Sequence, residues 1–563
     1  MDARPGEAAD RAHDPLPSSA SGLRAKLMLI GAALLLSIWV LAFASHGFFS
    51  GDSGVKYAEA SALLSSGFTS RAIPYDTELD PTGRFRPYRE HLVRIEGGRG
   101  WVGPYSWLLA AVSAPGIAAF GVHGAILLPL LGGLLTLFAT FWTLRELGVR
   151  DWLAALAASA CVLLTPILFY ASQYAGHTLA TGFTIVALGF TVRIGHGRRR
   201  DAVLAGVFVG LAGSLRAEGY CAVAAIGLIV AASPATSVPV RARHCALFLA
   251  GCLPILAVYW GVNLLTVGSW DVLSHTLRDR VASLASASIL LTGKIEGAHA
   301  GRWLLAAAAI PLAGLIIGRL RPSVLRGCLL LATAAGLAWL AILGVSLSSG
   351  RTVGGLLVLT PLVGLGFITG PWRTKARAVW LFAVLYVFQV LVFDRSGTAG
   401  GLQLGTRMLM PAIPPLIVLA MLPVEEALRS SRSSGPRLLA LAPTLLLATL
   451  SGALLFSSLE KPTEIANASS LATARVRAIE SNVVVTQRWW ESEVIAALVE
   501  EGWAIYTVGD DPVPLLSRLA ASGVERIAYV GVHPLRLDLE GGYRAQTTSL
   551  ERGSFTVQTV ELR

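Results

Sequence analysis

Phe48-Phe49-Ser50-Gly51-Asp52-Ser53-Gly54-Val55-Lys56-Tyr57 closely follows an 18-residue apolar run, Leu27 to Ala44. That run is long enough to cross a hydrocarbon core. Arg24 and Lys26 precede it, which holds its start on the cytoplasmic side and carries Asp52 outside. A carboxylate at the mouth of a membrane span is costly to place, and marks a functional site by default. From Asp52 a polar loop runs to about Trp101. Residues 53–66 suit a short amphipathic helix, with Val55, Ala58 and Ala62 on one face. Pro74, Pro81-Thr82-Gly83 and Gly97-Gly98 break the rest of the loop. Upstream, residues 1–22 read as a disordered cytoplasmic tail. Ala42-Phe43-Ala44 resembles a signal-peptidase site, but the apolar core and the polar lead are both long for a signal. An uncleaved anchor is expected.

Composition supports a membrane chain. Hydrophobic residues make up 54% and charged residues 14%, with a mean hydropathy of +0.62; soluble domains carry about 25% charged residues. The net charge of +11 is uneven. From Ser457 onward there are 10 Lys and Arg against 14 Asp and Glu, so the positive excess lies in the apolar part. Nucleic-acid binding is not the reading of this excess; charge flanking spans on one side is. The five cysteines, Cys161, Cys221, Cys245, Cys252 and Cys328, lie in or beside apolar runs and have no disulfide or zinc spacing.

The basic residues set the topology. Arg145 and Arg150, Arg193 and Arg198-Arg199-Arg200, Arg241 and Arg243, Arg319 with Arg321 and Arg326, Arg373 with Lys375 and Arg377, and Arg429 with Arg432 and Arg437 follow alternate spans. They lie on the cytoplasmic side only if Tyr105 to Phe120, interrupted by Pro115-Gly116, lies in the outer interface without crossing; counted as a span, it would put them outside. The positive-inside rule then gives about 13 spans. A polytopic helical membrane domain covers 23–456, with a first outer loop at 46–122. Residues 457–563 alternate strand-like runs (Val483 to Val485, Ala504 to Val508, Arg526 to Val530) with helical ones, and read as a small extracytoplasmic α/β domain. Gly509-Asp510-Asp511 reads as a polar turn, not a metal motif.

Polar residues at the outer ends of spans fall at one depth: Asp52, Lys56 and Tyr57; His177; Arg216 and Glu218; Arg395 and Arg407. Their convergence points to one outward-facing cavity. Each also has a plain alternative. Asp52 suits a helix N-cap, Lys56 a solvated side chain, His177 an interfacial histidine, and Arg407 a snorkelling cation. Arg216 and Glu218 are two residues apart, cannot share a helix face, and are expected to pair across the bundle. Arg84, Arg86, Arg89, Arg94 and Arg99 form a basic stretch expected to meet solvent or head groups.

The order of these motifs resembles the GT-C class of membrane glycosyltransferases, which includes protein O-mannosyltransferases and lipid A aminoarabinose transferases. One inside-to-outside span is followed by Gly51-Asp52-Ser53-Gly54, Lys56 and Tyr57, then a long outer loop. Tyr170 to His177 matches the outer turn after the third span. Gly210 to Gly219 holds a Gly-Leu-Ala run, then Arg216 and Glu218. Gly400-Gly401 through Gly405-Thr406-Arg407, with Leu409, Pro411, Pro414 and Pro415, resembles the run before a late span. The likeness covers most of 25–456. Ser53 stands where many members have a second acid, His177 where an acid is common, and Thr406 where proline is common.

The resemblance implies sugar transfer from a polyprenyl-phosphate donor to a glycan, lipid or protein acceptor at the outer face of the cytoplasmic membrane. Asp52 would be the general base of an inverting displacement. Arg407, assisted by Lys56 or Arg216, would take the lipid phosphate. Glu218 would orient a cation, and His177 and Tyr57 would meet substrate. No metal is expected, since one carboxylate is a poor cage for a hard cation. The alternatives are a lipid-linked sugar flippase or another transporter, or a non-catalytic glycan-binding protein.

Overall fold

The computed structural model describes residues 19–43, 48, 51–95, 100–194, 198–232, 237–270, 324–347, 352–353, 355, 356–369, 376–393, 403–405, 407–430, 434–535, 544–548 and 555–562. The expected tail before Ser19, the eighth span and its preceding loop, and Arg395, Gly400, Gly401 and Thr406 lie outside the described residues.

The chain is a polytopic helical membrane protein. Among the described residues six helices are long and apolar enough to cross a membrane: Gly22–Ala42, Val122–Glu146, His177–Ile194, Val238–Val267, Arg407–Arg429 and Leu441–Arg477. Shorter apolar helices lie between them. In chain order the principal elements are α1 (Ser19–Ala42), α2 (Gly51–Ser65), α3 (Trp107–Phe120), α4 (Val122–Glu146), α5 (Asp151–Leu163), α6 (His177–Ile194), α7 (Arg199–Leu215), α8 (Gly219–Ala231) and α9 (Val238–Val267). They continue with α10 (Val324–Leu347), α11 (Arg377–Phe393), α12 (Ile413–Ser430) and α13 (Ser434–Ser458). α1 turns Leu34, Leu35, Ile38 and Leu41 outward, where lipid is their solvent.

Local sequence explains where the rods break. The third apolar run is helical to Leu163 and resumes as one turn at Ile167–Tyr170, because Pro166 cannot donate its share of the ladder. Pro361 likewise splits Leu356–Leu359 from Leu362–Thr369. α7 and α9 cross backbone to backbone. A Cβ built on Gly206 would overlap the Phe248 carbonyl, and one on Gly251 the Val203 carbonyl, so only glycine allows this approach.

The sequence reading of α2 needs correction. It is not a half-solvated amphipathic helix: Ser53, Lys56, Glu59 and Ser61 are buried along with Val55, Ala58 and Ala62. Tyr105, Gly103 and Arg71 of the first outer loop meet its polar positions Lys56 and Glu59, and α3 with Ala496 and Ala497 packs on its apolar ones. α3 is a regular helix through Pro115; at 14 residues it is about 21 Å long, short of the hydrocarbon thickness.

β1 (Val93–Arg94) and β2 (Trp101–Val102) pair antiparallel in the first outer loop, and β3 (Thr352–Val353) and β4 (Gln403–Leu404) follow among the helices. After α13 the chain stays helical in α14 (Glu460–Arg477), then forms a sheet of five strands, β5 (Val483–Thr486), β6 (Ala504–Thr507), β7 (Arg526–Gly531), β8 (Arg544–Thr548) and β9 (Thr556–Glu561), in the order β6-β5-β7-β9-β8. β5 lies parallel to β6 and to β7, with Val484 opposite Ile505 and Ala528. β9 joins β7 antiparallel, and β8 completes the edge. α15 (Trp489–Val494) and α16 (Val513–Ala521) fill the crossovers. The first outer loop contributes to this core. Phe85 sits among Val485, Tyr506, Leu515 and Tyr529, and the Thr507 N–H donates to the Phe85 carbonyl at 2.8 Å. Burying one such ring stabilises by about 2–3 kcal/mol, enough to tie the loop to the sheet.

Candidate active site

Asp52 lies in the first turn of α2, where the helix dipole favours an anion. Its Oδ2 accepts a hydrogen bond from Arg407 Nη1 at 2.8 Å. Local geometry aims Arg407 there. β3 (Thr352–Val353) and β4 (Gln403–Leu404) form a short parallel pair. The Leu404 N–H donates to the Tyr170 hydroxyl at 3.3 Å. Gly405 then takes φ +63, with its missing Cβ only 3.0 Å from the Pro166 ring. No other residue turns there without strain, and the chain enters the 3-10 turn Arg407–Ala412.

Lys56 stands one turn along α2 from Asp52, on the same face. Its Nζ is buried, lies 4.3 Å from the Tyr105 ring centroid, and has no hydrogen-bond partner. Burial, with Arg216 and Arg407 nearby, brings its ammonium down to about 7 against the pull of Asp52. Burial works against the Asp52 carboxylate. Arg407, then Lys56, His91 and Arg216, outweigh it and hold the carboxyl well below the usual carboxylate range.

His177, Arg216 and Glu218 form a second group. The Arg216 Nε–H donates to Glu218 Oε1 at 2.9 Å, and His177 Nδ1 lies 3.3 Å from the same oxygen. The expectation that Arg216 and Glu218 pair elsewhere is therefore corrected. The spacing argument assumed helix, but Arg216 leaves α7 in an extended conformation (φ −147, ψ 142), which lets neighbours two apart meet. Tyr57 also departs from its expected place. It is one residue on from Lys56, about 100° round the helix, and its hydroxyl donates to Glu500. The basic stretch is partly packed: Arg86 lies 4.1 Å from the Trp101 ring centroid and Arg84 pairs with Asp511 at 3.8 Å.

Sequence reasoning missed two groups. His91, at the end of the 3-10 turn Arg89–His91, points its Nδ1 at Glu493 Oε1 (2.7 Å) and lies 3.9 Å from Asp52 Oδ1. Glu493 is carried in on α15 and is buried. Burial raises its carboxyl to about 7, although the hydrogen bond to His91 acts the other way. A Cβ built on Gly54 would overlap the Glu493 carbonyl oxygen, so the glycine two residues after Asp52 admits α15. Glu59, the next acid on α2, accepts from the Gly103 N–H at 2.9 Å and faces Arg71 at 4.0 Å. Among the described residues no group of three or more His, Cys, Asp or Glu side chains is arranged to hold a metal ion.

The helical bundle has the fold of the GT-C glycosyltransferases. Two solved structures of ArnT from Cupriavidus metallidurans share it. The apo form gives a TM-score of 0.52 at 14% identity, covering 96% of this chain and 98% of that one. The form bound to undecaprenyl phosphate gives 0.50 at 13%, covering 95% and 97%. The Archaeoglobus fulgidus oligosaccharyltransferase in complex with Zn and sulfate gives 0.51 at 13%, covering 89% of this chain and 67% of that one. At these identities the likeness is one of fold. No protein-family model matches the sequence, and no curated protein matches it.

Proposed function

We propose that this chain is a glycosyltransferase that moves a sugar from a polyprenyl-phosphate donor to a glycan, lipid or protein acceptor. In this reading transfer occurs at the outer face of the cytoplasmic membrane. The N-terminus lies inside, some 13 spans cross, and the C-terminal sheet lies outside with Asp52. The Asp52–Arg407 pair at 2.8 Å carries the proposal. It joins an acid and a phosphate-binding cation 355 residues apart in sequence, with Lys56 bare and Arg216 close by. The fold shared with ArnT supports it, since one of those structures holds undecaprenyl phosphate.

The mechanism follows from charge. The donor's phosphate competes with Asp52 for Arg407 and is also drawn to Lys56, so binding releases Asp52 Oδ2 as a stronger base. The acceptor oxygen attacks the anomeric carbon from the face opposite the phosphate. Its proton passes to Asp52, and the anomeric C–O bond breaks with its electron pair leaving on the lipid phosphate. The anomeric configuration inverts. The chain's own cations meet the leaving charge, so the reaction needs no metal. Glu218 orients Arg216, and His177 meets sugar or acceptor.

The test is Asp52→Asn in membranes supplied with a lipid-linked sugar. Transfer should fall about 10²–10⁴-fold, the range for losing a general base, with expression intact. Full retained activity would refute the base assignment. Movement of lipid-linked sugar without glycosidic bond formation would replace the transferase with a flippase.

A further inference from the structure

We propose that the C-terminal segment completes the active site: Glu493 is a positioning residue that acts through His91 on the Asp52 carboxylate. This rests on the transferase reading of Asp52 and names a control of that same centre.

The two oxygens of Asp52 face different partners. Oδ2 meets Arg407 at 2.8 Å, and Oδ1 faces His91 Nδ1 at 3.9 Å. When donor phosphate draws Arg407 away, Oδ2 is freed and the carboxylate loses its anchor. His91 at Oδ1 is then left to hold the carboxylate, with the Tyr105 hydroxyl and the Lys56 ammonium beside it. The His91–Asp52 distance is within ion-pair range, and contacts of this kind shorten on substrate binding. One oxygen then stays fixed while the other turns to the acceptor.

His91 does this in its charged form, and Glu493 keeps it charged. The Glu493 carboxylate lies 2.7 Å from Nδ1. Burial disfavours the imidazolium, but the Glu493 bond and charge, with Asp52, raise its pKa above the ordinary value. The other ionisable groups facing the ring are Arg407, which opposes that charge, and the Tyr105 hydroxyl, 3.5 Å from Nδ1. The Trp489 ring packs edge-on against the imidazole, 4.5 Å away between centroids.

Glu493 is also held for the purpose. Its backbone fits only against Gly54. Ser492 beside it accepts the Tyr88 N–H at 3.0 Å, and the Tyr88 carbonyl accepts the His91 N–H at 2.7 Å. Tyr88 adopts φ +57 to make that turn, a conformation costing a bulky residue roughly 1–2 kcal/mol. One short relay of backbone and side-chain bonds therefore sets the spacing of His91 and Glu493. The second acid missing beside Asp52 in sequence arrives from residue 493.

Two measurements on the purified full-length chain test this. The first is the imidazole titration of His91 followed by NMR, assigned with His91→Gln and compared between wild type and Glu493→Gln. Loss of the carboxylate should lower the His91 pKa by about one unit or more; an unmoved titration overturns the proposal whether or not the chain transfers sugar. The second is the pH profile of kcat with a lipid-linked donor. The active form holds His91 charged, so its alkaline limb marks the loss of that charge. In Glu493→Gln that limb should move to lower pH and kcat should fall about 10–100-fold at unchanged donor KM. Glu493→Asp should restore part of both. A Glu493→Gln enzyme with the wild-type limb, or a His91→Gln enzyme with wild-type kcat, refutes the assignment. A wild-type chain that titrates as described but transfers nothing counts against the transferase reading alone and upholds the pairing.

Discussion

The two ends of the helical bundle carry similar residues arranged to opposite effect. At the end where α4 and α12 finish, Glu425 accepts from Arg150 Nε at 3.1 Å and Arg429 Nε at 2.5 Å. Arg193 there pairs with Asp201 at 3.2 Å and lies 3.5 Å from Glu146. Most of these arginines reach water, and the pairing spends their charge on each other. At the other end Asp52 and Glu218 face Arg407, Arg216 and Lys56, and the Lys56 ammonium has no hydrogen-bond partner. A closed ion network holds helices together. A buried centre with surplus positive charge is incomplete by itself and is made whole by an anion.

Three changes would break or sharpen that contrast. The largest effect belongs to Gly54→Val, which pushes α15 off α2 and takes Glu493 with it. Transfer should fall at least about 100-fold, since a small misplacement at a site costs that much. Limited proteolysis should show the residues after Glu460 loosened from an otherwise intact bundle. An undiminished rate would mean that the docked sheet is not part of the centre.

Lys56 comes next. With a pKa of about 7 it is charged below that value and neutral above it. Affinity for a polyprenyl phosphate should therefore weaken as pH rises through 7, by about tenfold at most if one charge–phosphate contact is lost, about 1.4 kcal/mol. Lys56→Arg should flatten the dependence, because guanidinium stays charged. A wild-type affinity independent of pH between 6 and 8 (measured by microscale thermophoresis, for instance) would remove Lys56 from the phosphate site.

Glu425→Gln at the opposite end should give the smallest effect. Its partners Arg150 and Arg429 are 37% and 53% exposed, so solvent shares the load and the loss should be about 1 kcal/mol. A thermal unfolding midpoint lowered by a few degrees with unchanged kcat would separate the two ends cleanly. A large loss of kcat would make them one coupled system.

The legible part of this site was the part that broke a pattern. Asp52, Arg216 and Arg407 are charges at the edges of apolar runs, and energy alone singles them out. His91 and Glu493 sit in polar stretches where any charged residue is expected to face solvent, so nothing local marked them. Gly54 was visible as a residue but not as a reason, because its partner is a backbone oxygen far along the chain, on Glu493. The paired strands of the C-terminal sheet were readable as runs such as Val483 to Val485. Phe85 joining their core was not, since one aromatic in a broken loop carries no period. The apolar segment over 105–120 was readable from its content, but its unbroken helix through Pro115 and the splits at Pro166 and Pro361 were not. The burial of α2 was not, because Lys56 and Glu59 are covered by Tyr105, Gly103 and Arg71, whose folding back over the helix no local pattern signals.

Separation along the chain has a consequence for biogenesis. Asp52 and Arg407 are 355 residues apart, and His91 and Glu493 are 402 apart. Synthesis proceeds from the N-terminus, so Asp52 is made long before Arg407 exists, and His91 long before Glu493. Until the chain reaches α12, Asp52 lacks Arg407, its hydrogen-bond partner. Until the chain has passed α13 and folded its sheet, His91 has no acid. The centre is therefore assembled last, from both ends of the polypeptide at once. Under the proposed function, a partly inserted chain is inactive toward the lipid around it.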